Sequence, residues 1–225
     1  MSFVSEKSKG MPRSVIREMF AMQTGLEDVV SFALGEPDFT TPKHIIDATI
    51  ASFQRGETHY TPNTGIPALR KAVSETYAKR GLSYRPEEIL IGAGGVSVLN
   101  LACGAILDVG DEVLIPDPGW PNYRGMILQW GAVPVPVAVR EEDGFMYTAE
   151  ALRRAITKKT KAIIINSPSN PTGGVASAET LGQIADLVKE QDLYVISDEI
   201  YHELVWSGEP YTSIAQFPGM KERTV

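Results

Sequence analysis

Short apolar runs rich in β-branched residues alternate with stretches of helical periodicity along most of the chain. Apolar residues at i, i+3, i+4 and i+7 indicate a helix, whereas a short continuous apolar run is typical of a buried strand. The runs predict strands at Ile89–Ile91, Glu112–Ile115, Ala132–Val139, Lys161–Asn166 and Leu193–Ser197. The periodic stretches predict helices at Val96–Leu107, Asn122–Trp130 and Thr148–Ile156, and one more that Ser177 caps.

Two further helices are predicted before this alternating region. The first opens at Thr41-Pro42 and ends at Gly56, and the second opens at Pro67 and ends at Gly81. Proline is tolerated at the start of a helix, and glycine is favoured just past its end. We expect the first helix to bury one apolar face. That face consists of Ile45, Ile46, Thr49, Ile50 and Phe53.

The alternation of strands and helices predicts an α/β fold. A mostly parallel sheet with helices on both faces gives a three-layer αβα architecture. Ligands of such sheets bind beyond the carboxyl ends of the strands. The residues that directly follow each predicted strand are therefore the first candidates for function.

Two of these loops carry glycines or an aromatic ring. Ile91 is followed by the segment 92–97, Gly-Ala-Gly-Gly-Val-Ser, whose glycines allow close backbone approach and whose helix start offers N–H groups to an anion. Its spacing matches neither the dinucleotide fingerprint nor the P-loop, so a tight strand-to-helix turn explains it equally well. Ile115 is followed by a rigid turn that carries Trp120, on which a planar heterocycle could stack. A tryptophan packed into its own domain is the alternative.

Two later loops carry polar side chains. The segment 166–173, Asn-Ser-Pro-Ser-Asn-Pro-Thr-Gly, contains two X-Pro pairs that favour an extended, turned loop holding Asn170. A structural turn explains the prolines but not this amide. Asp198 follows an apolar strand, where a buried carboxylate needs a cationic or N–H partner. Tyr201 comes three residues later and could face the same ligand, although Asp198 could also be a helix cap.

Composition and charge narrow the function classes. The chain has 225 residues, 43% hydrophobic and 22% charged, as in an ordinary soluble globular protein. A formal charge of −7 disfavours nucleic acid but not a small anion held by backbone N–H groups. Cys103 is the single cysteine and is expected to be a buried core thiol. The N-terminal residues contain no apolar signal region, and glycines interrupt the uncharged stretch Ile89–Leu107, so a cytoplasmic protein without a membrane span is expected.

Taken together, the loops form an ordered series that resembles the PLP-dependent class I/II aminotransferases, of the aspartate aminotransferase fold. The series consists of Leu34-Gly35-Glu36-Pro37-Asp38-Phe39, the segment 60–65, Gly94-Gly95, Asp117-Pro118-Gly119-Trp120, the segment 166–173 and Ser197-Asp198-Glu199-Ile200-Tyr201. It runs from about Ser31 to Tyr201. The Asn-Pro-Thr-Gly and Ser-Asp-Glu-Ile-Tyr segments are very specific together.

The resemblance implies pyridoxal 5'-phosphate (PLP) as the cofactor, and no metal. It implies that the backbone of Gly94, Gly95, Val96 and Ser97 holds the phosphate, that Trp120 stacks on the pyridine ring, that Asp198 accepts the pyridinium N–H, and that Asn170 and Tyr201 hydrogen-bond O3′. PLP stabilises a carbanion at the Cα of an amino acid as an electron sink, best when the ring nitrogen is protonated. A carboxylate such as Asp198 favours that cationic ring.

The resemblance also concerns substrates and partners. It implies transfer of an amino group between an amino acid and a 2-oxo acid, with Gly35, Trp120 and Asn170 bordering the substrate. It further implies a homodimer with shared active sites, in which Tyr60 reaches the phosphate of the neighbouring subunit.

One departure from the family pattern limits these expectations. The chain ends at Val225, before the position where the family carries its Schiff-base lysine, and Lys221 lies in no matching motif. We therefore expect residues 41–225 to form a PLP-binding large domain that is incomplete at its C-terminus. Residues 1–40 are expected to form an N-terminal arm and part of a small domain.

Other functions stay open on the sequence alone. A PLP-dependent lyase or decarboxylase shares the fold, and a non-catalytic PLP-fold domain could bind the ligand without turnover. A nicotinamide-binding Rossmann domain is disfavoured by the glycine spacing.

Overall fold

The computed structural model describes residues 3–11, 18–19, 22, 25–30, 35–206, 208 and 210–225. Its α-helices are α1 (Glu6–Lys9), α2 (Lys43–Gln54), α3 (Pro67–Lys79), α4 (Gly95–Ile106), α5 (Asn122–Gln129), α6 (Ala149–Ala155) and α7 (Ala178–Glu190). Its strands are β1 (Glu112–Asp117), β2 (Val133–Ala138), β3 (Thr160–Asn166) and β4 (Tyr194–Asp198). Short 3₁₀ turns cover Pro86–Glu88, Glu141–Asp143, Ile214–Gln216 and Lys221–Arg223.

The four strands form one parallel sheet in the order β2-β1-β3-β4. The predicted parallel α/β sheet is therefore confirmed, and these strands lie within two residues of their predicted bounds. The predicted cap is also present, because the Ser177 hydroxyl accepts a hydrogen bond from the backbone N–H of Thr180 at 3.0 Å.

Side chains that alternate along the strands fill a core on each face of the sheet. In β3, Ile163 and Ile165 face a cluster built with α6 and α7, whereas Ala162 and Ile164 face a cluster built with α4 and α5. Strands buried on both faces explain why β3 reads as a continuous apolar run. Cys103 lies in the second cluster, as expected of a core thiol.

The strand order reverses between β1 and β3, the position at which parallel α/β sheets commonly bind ligands. The chain moves from β1 outward to β2, returns past β1 to β3, and continues to β4 on the other side. Such a reversal leaves a gap at the carboxyl edge, where α/β sheets bind ligands. The three strand ends are level there, since Asn166 pairs with Asp198, and Leu114 pairs with Ile163 three residues before the end of each strand.

The strand predicted at Ile89–Ile91 is wrong. The segment has no strand assignment, and the backbone N–H of Ile91 donates to the carbonyl of Thr64 at 3.0 Å. A strand needs a neighbouring strand, and no strand of the described residues pairs with this segment. An apolar run alone does not say whether such a neighbour exists.

The buried face predicted for α2 is also wrong. Ile45, Ile46, Ile50 and Phe53 are all exposed, Phe53 by 66%. Helical periodicity predicts an apolar stripe but not the surface that covers it, and nothing in the described ranges packs on this one. The helix begins at Lys43, one residue after the predicted proline.

The outer edge of β4 is partly paired. Val225 donates to the carbonyl of Val195 at 2.9 Å, and its own carbonyl accepts from Ser197 at 2.8 Å. This pairing is parallel.

Within the described ranges, no helix is both long and apolar enough to cross a bilayer.

Candidate active site

Asp198 ends β4 at the carboxyl edge of the sheet, half-buried. Its Oδ2 accepts a hydrogen bond from the hydroxyl of Tyr123 at 2.7 Å. Its Oδ1 accepts the backbone N–H of Ile200 at 3.3 Å. A carboxylate has about four lone-pair sites, so two of them stay open toward the crevice.

A chain of amide contacts joins the loop after β3 to the loop after β4. The buried Asn166 donates from Nδ2 to the backbone oxygen of Asp198 at 3.0 Å and accepts the backbone N–H of Asn170 at 2.7 Å. Asn170 in turn donates from Nδ2 to the hydroxyl of Tyr201 at 3.4 Å. Asn166 thus holds Asn170 and Asp198 in register, and Asn170 and Tyr201 form a second polar pair beside the carboxylate.

Trp120 lies in the turn after β1, at the other side of the crevice. Its ring contacts Tyr123 edge to face, with centroids 5.1 Å apart and an interplanar angle of 79°. Because Tyr123 also holds Asp198, one phenol connects the aromatic ring to the carboxylate. The structure therefore brings Trp120 and Asp198 into one neighbourhood from strands β1 and β4.

The glycine turn before α4 has the geometry of an anion cradle. Gly94 has φ +86°, and its neighbour Gly95 begins the helix. A Cβ on Gly92 would lie 2.3 Å from Cγ1 of Val98, so this position also requires glycine. Ser97 donates to the carbonyl of Gly94 both from Oγ at 2.8 Å and from its backbone N–H at 3.2 Å, and the N–H of Gly94 donates to the carbonyl of Gly92 at 3.0 Å. Among the described residues, no backbone acceptor pairs with the N–H groups of Gly95 and Val96, which are the ones left for an anion at this helix start.

This turn is not hydrogen-bonded to the polar loops. Among the described residues, no hydrogen bond joins the segment 94–97 to Asp198, Asn170 or Tyr201. The two parts are connected through the core instead, because Leu99 and Cys103 of α4 pack in the same cluster as Ile196 of β4.

Two predicted residues lie apart from this centre. Gly35 and Tyr60 are exposed, and Tyr60 has no packing neighbour in the described chain. Leu34, the first residue of the predicted motif, and Ser31 lie outside the described residues. The roles predicted for Gly35 and Tyr60 stay predictions.

Burial and charge fix the protonation state of Tyr123. The side chain is 1% exposed, and burial together with the neighbouring Asp198 carboxylate raises the pKa of the phenol far above its ordinary value. The hydroxyl therefore keeps its proton over the whole accessible pH range and always donates to Asp198.

Sequence reasoning did not assign Tyr123 and Asn166. Tyr123 lies in the first turn of α5, three residues after Trp120, which belongs to the turn that leads into this helix. That spacing was visible in the sequence. The partner of the hydroxyl was not, because Asp198 is 75 residues away.

The donor set fits PLP. A protonated pyridine ring needs a carboxylate, a phenolate oxygen needs amide or hydroxyl donors, and a planar ring needs an aromatic face. Asp198, the Asn170–Tyr201 pair and Trp120 supply these groups at one crevice. The helix start behind Gly94 supplies N–H groups of the kind that bind phosphate.

These features define an α/β protein with a cluster of polar and aromatic side chains at the switch point of a parallel sheet. The fold is that of known aminotransferases. The chain is similar to the solved aspartate aminotransferase from Thermus thermophilus with maleate, with a TM-score of 0.94 and 40% identity over 100% of this chain and 59% of that one. A family model described as aminotransferase class I and II matches residues 27–224, so the chain belongs to that family.

Curated relatives carry the same family name with different substrates. The chain is 47% identical over 190 residues to aspartate aminotransferase of Bacillus sp. strain YM-2, covering 84% of this chain and 48% of the relative. It is 38% identical over 224 residues to aromatic-amino-acid aminotransferase 2 of Thermococcus litoralis, covering 99% and 58%. The chain thus spans about half the length of the curated relatives it matches.

Proposed function

We propose that the chain provides the cofactor-binding large domain of a PLP-dependent aminotransferase. The enzyme transfers an amino group between an amino acid and a 2-oxo acid. One observation carries the proposal: the side chains after β1, β3 and β4 that have the chemistry PLP requires meet at the switch point of the sheet. Membership of the aminotransferase family supports it.

In this proposal, four side chains bind the cofactor ring. When bound, PLP supplies an electron sink for charge that develops at the Cα of the amino acid. Asp198 accepts the ring N–H and keeps the ring cationic, and Asn170 and Tyr201 donate to O3′. Trp120 covers one face of the ring and excludes water from it.

The phosphate is assigned to the backbone of Gly94, Gly95 and Val96 and to the backbone and hydroxyl of Ser97. Gly94 has positive φ and directly precedes the first helical residue, Gly95, so the free N–H groups of Gly95 and Val96 lie at the helix start, where phosphates bind. The hydroxyl of Ser97 fits this assignment because it can rotate away from the carbonyl of Gly94, whereas the backbone N–H of Ser97 would have to leave the same carbonyl, to which it donates at 3.2 Å.

The substrate and the assembly belong to the same proposal. Gly35, Trp120 and Asn170 border the amino acid, and the enzyme works in the cytoplasm as a homodimer with shared sites. Tyr60 supports the shared arrangement, because its fully exposed ring is available to a second subunit. Residues 41–225 form the large domain, and residues 1–40 the arm and part of the small domain.

Ligand binding tests the cofactor assignment. Pyridoxamine phosphate, which has no aldehyde and does not react with lysines, is titrated into the chain by calorimetry. We expect Asp198→Ala and Asn170→Ala to weaken binding by at least tenfold. Asp47→Ala removes an exposed carboxylate of α2 and is the matched control. A wild-type chain that does not bind pyridoxamine phosphate would overturn the proposal.

Product analysis tests the reaction class. The full enzyme that contains this domain is given aspartate or an aromatic amino acid together with a 2-oxo acid, because relatives of both names match the chain. An aminotransferase converts donor and acceptor in equal amounts. Release of ammonia or carbon dioxide without conversion of the acceptor would identify a lyase or a decarboxylase instead.

A further inference from the structure

The hydroxyl of Tyr123 has an acceptor that a buried core tyrosine does not require, the carboxylate of Asp198. A core tyrosine needs only one acceptor for its hydroxyl, and backbone carbonyls usually supply it. Tyr147 shows this simple case, since it is buried and its hydroxyl donates to the carbonyl of Ile164 at 3.1 Å. Tyr123 instead donates to the half-buried carboxylate at the mouth of the crevice, at 2.7 Å.

We propose that Tyr123 is a positioning residue that holds the carboxylate of Asp198 in the plane and orientation needed by a protonated ring nitrogen. This inference rests on the proposed function, because it assigns the ring nitrogen as the ligand of Asp198. Tyr123 itself does not touch the ligand through its hydroxyl, and it acts through Asp198.

The need for such a holder follows from the aspartate side chain. The torsion that rotates a carboxylate about its bond to Cβ is broad, so an unrestrained Asp198 would sample many planes. Ile200 contacts Oδ1 at 3.3 Å, a long hydrogen bond that restrains this rotation weakly. The hydroxyl of Tyr123 on Oδ2 therefore fixes the plane and leaves the outward lone pairs free.

Tyr123 is itself rigid. Its ring is buried in the cluster that contains Ile127, Cys103 and Ile196, at the first turn of α5. Its ring also packs against Trp120 in a T-shaped arrangement, so the carboxylate and the proposed stacking ring contact the same side chain. Side chains supported by packed helix residues are positioned with less freedom than side chains supported by loops alone.

The hydroxyl also stays a donor. Burial first and the charge of Asp198 second raise the pKa of Tyr123 well above the accessible range. A phenol that never ionises always donates its hydrogen bond to Asp198, and this donation stabilises the charged carboxylate. The charged carboxylate is the form that a cationic ring requires.

The test compares two ligands that differ at the ring nitrogen only. One is pyridoxamine phosphate, and the other is its ring-carbon analogue, in which C–H replaces the nitrogen. The affinity ratio of the two reports the contact with Asp198, while losses of packing lower both affinities together. We expect Tyr123→Phe to reduce this ratio about tenfold, the usual scale of one charge-assisted hydrogen bond.

The chain provides a matched control. Tyr147→Phe removes the same oxygen from an equally buried ring that does not touch Asp198, and it is expected to leave the ratio unchanged. In an Asp198→Ala background, Tyr123→Phe should have no further effect on the ratio. Should the Phe variant fail to fold, Tyr123→Gln keeps a donor and Tyr123→Leu does not, so only Gln should retain a preference.

The outcomes separate the two proposals. A wild-type chain with no preference for the ring nitrogen contradicts the assigned partner of Asp198, and hence the proposed function. Two outcomes overturn the positioning role and leave the proposed function standing. One is a wild-type preference that Tyr123→Phe leaves intact, and the other is an equal loss of affinity for both ligands in that variant.

Discussion

Arg80, just past the end of α3, donates from Nη2 to Oε2 of Glu199 at 2.7 Å, one residue beyond Asp198. The other oxygen of Glu199 accepts from the hydroxyls of Ser197 at 3.0 Å and Ser213 at 2.5 Å. The guanidinium of Arg80 also lies over the ring of Tyr211, 5.4 Å from its centroid. Glu199 thereby connects three separate segments directly behind the candidate site.

The first prediction is that Arg80→Met destabilises the fold. Both side chains of the ion pair are less than one-fifth exposed, so the loss leaves a largely buried carboxylate with its hydroxyl donors only. Breaking a buried pair costs about 3–5 kcal/mol, and partial exposure reduces this to about 2–3 kcal/mol. Urea denaturation measures the change. Arg55→Met, which breaks an exposed pair with Glu57, should change the unfolding free energy far less, because solvent screens that pair. Equal effects of the two changes would contradict the prediction.

The second prediction concerns Cys103 and alkaline pH. Burial raises the pKa of this thiol from 9.0 to about 11. The folded chain thus holds a proton that the unfolded chain releases, so this contribution to stability is complete below pH 9 and is lost as the pH rises toward 11. The unfolding free energy of wild type should fall more steeply between these values than that of Cys103→Ala, as measured by denaturation at several pH values. Parallel curves would show that the thiol contributes nothing.

The third prediction concerns Gly94. Its φ of +86° and extended ψ belong to a region that side-chain-bearing residues avoid, at a cost of about 1–3 kcal/mol. Gly94→Ala should therefore shift the turn and weaken binding of pyridoxamine phosphate far more than that of pyridoxamine, which lacks the phosphate. Gly144→Ala is the control, since Gly144 also has positive φ but ends a surface 3₁₀ turn. Equal weakening of both ligands would count against a phosphate cradle.

The sequence predicted the parts of the fold that depend on local pattern. The run Ile163–Ile165 identified β3, and the polar residues after each strand identified the edge where Trp120, Asn170 and Asp198 meet. Parallel topology made that step possible, because it brings all strand ends to one edge.

What the sequence did not predict depends on partners distant in the chain. Tyr123 bonds to Asp198 across 75 residues of sequence, a contact that only the folded chain creates. Ile91 has no neighbouring strand among the described residues, and its N–H donates to Thr64 instead. The apolar stripe of α2 was visible, but its exposure was not, since periodicity carries no information on what covers a face.

The last prediction concerns the lysines of this chain. In the part of the chain that the structure describes, none of them forms a hydrogen bond or an ion pair with Asp198, Asn170 or Tyr201. Several are engaged on the surface, as Lys43 is with Asp47, Lys189 with Asp186 and Lys221 with Glu88. A lysine that serves PLP chemistry must reach the cofactor and have its amine activated by its surroundings. We therefore expect that PLP and borohydride leave only scattered, substoichiometric pyridoxyl adducts on surface lysines, as mapped by peptide mass spectrometry. Prior saturation with pyridoxamine phosphate should not change their distribution. A single lysine that is labelled one to one, and that pyridoxamine phosphate protects, would show that this chain places an amine at the site.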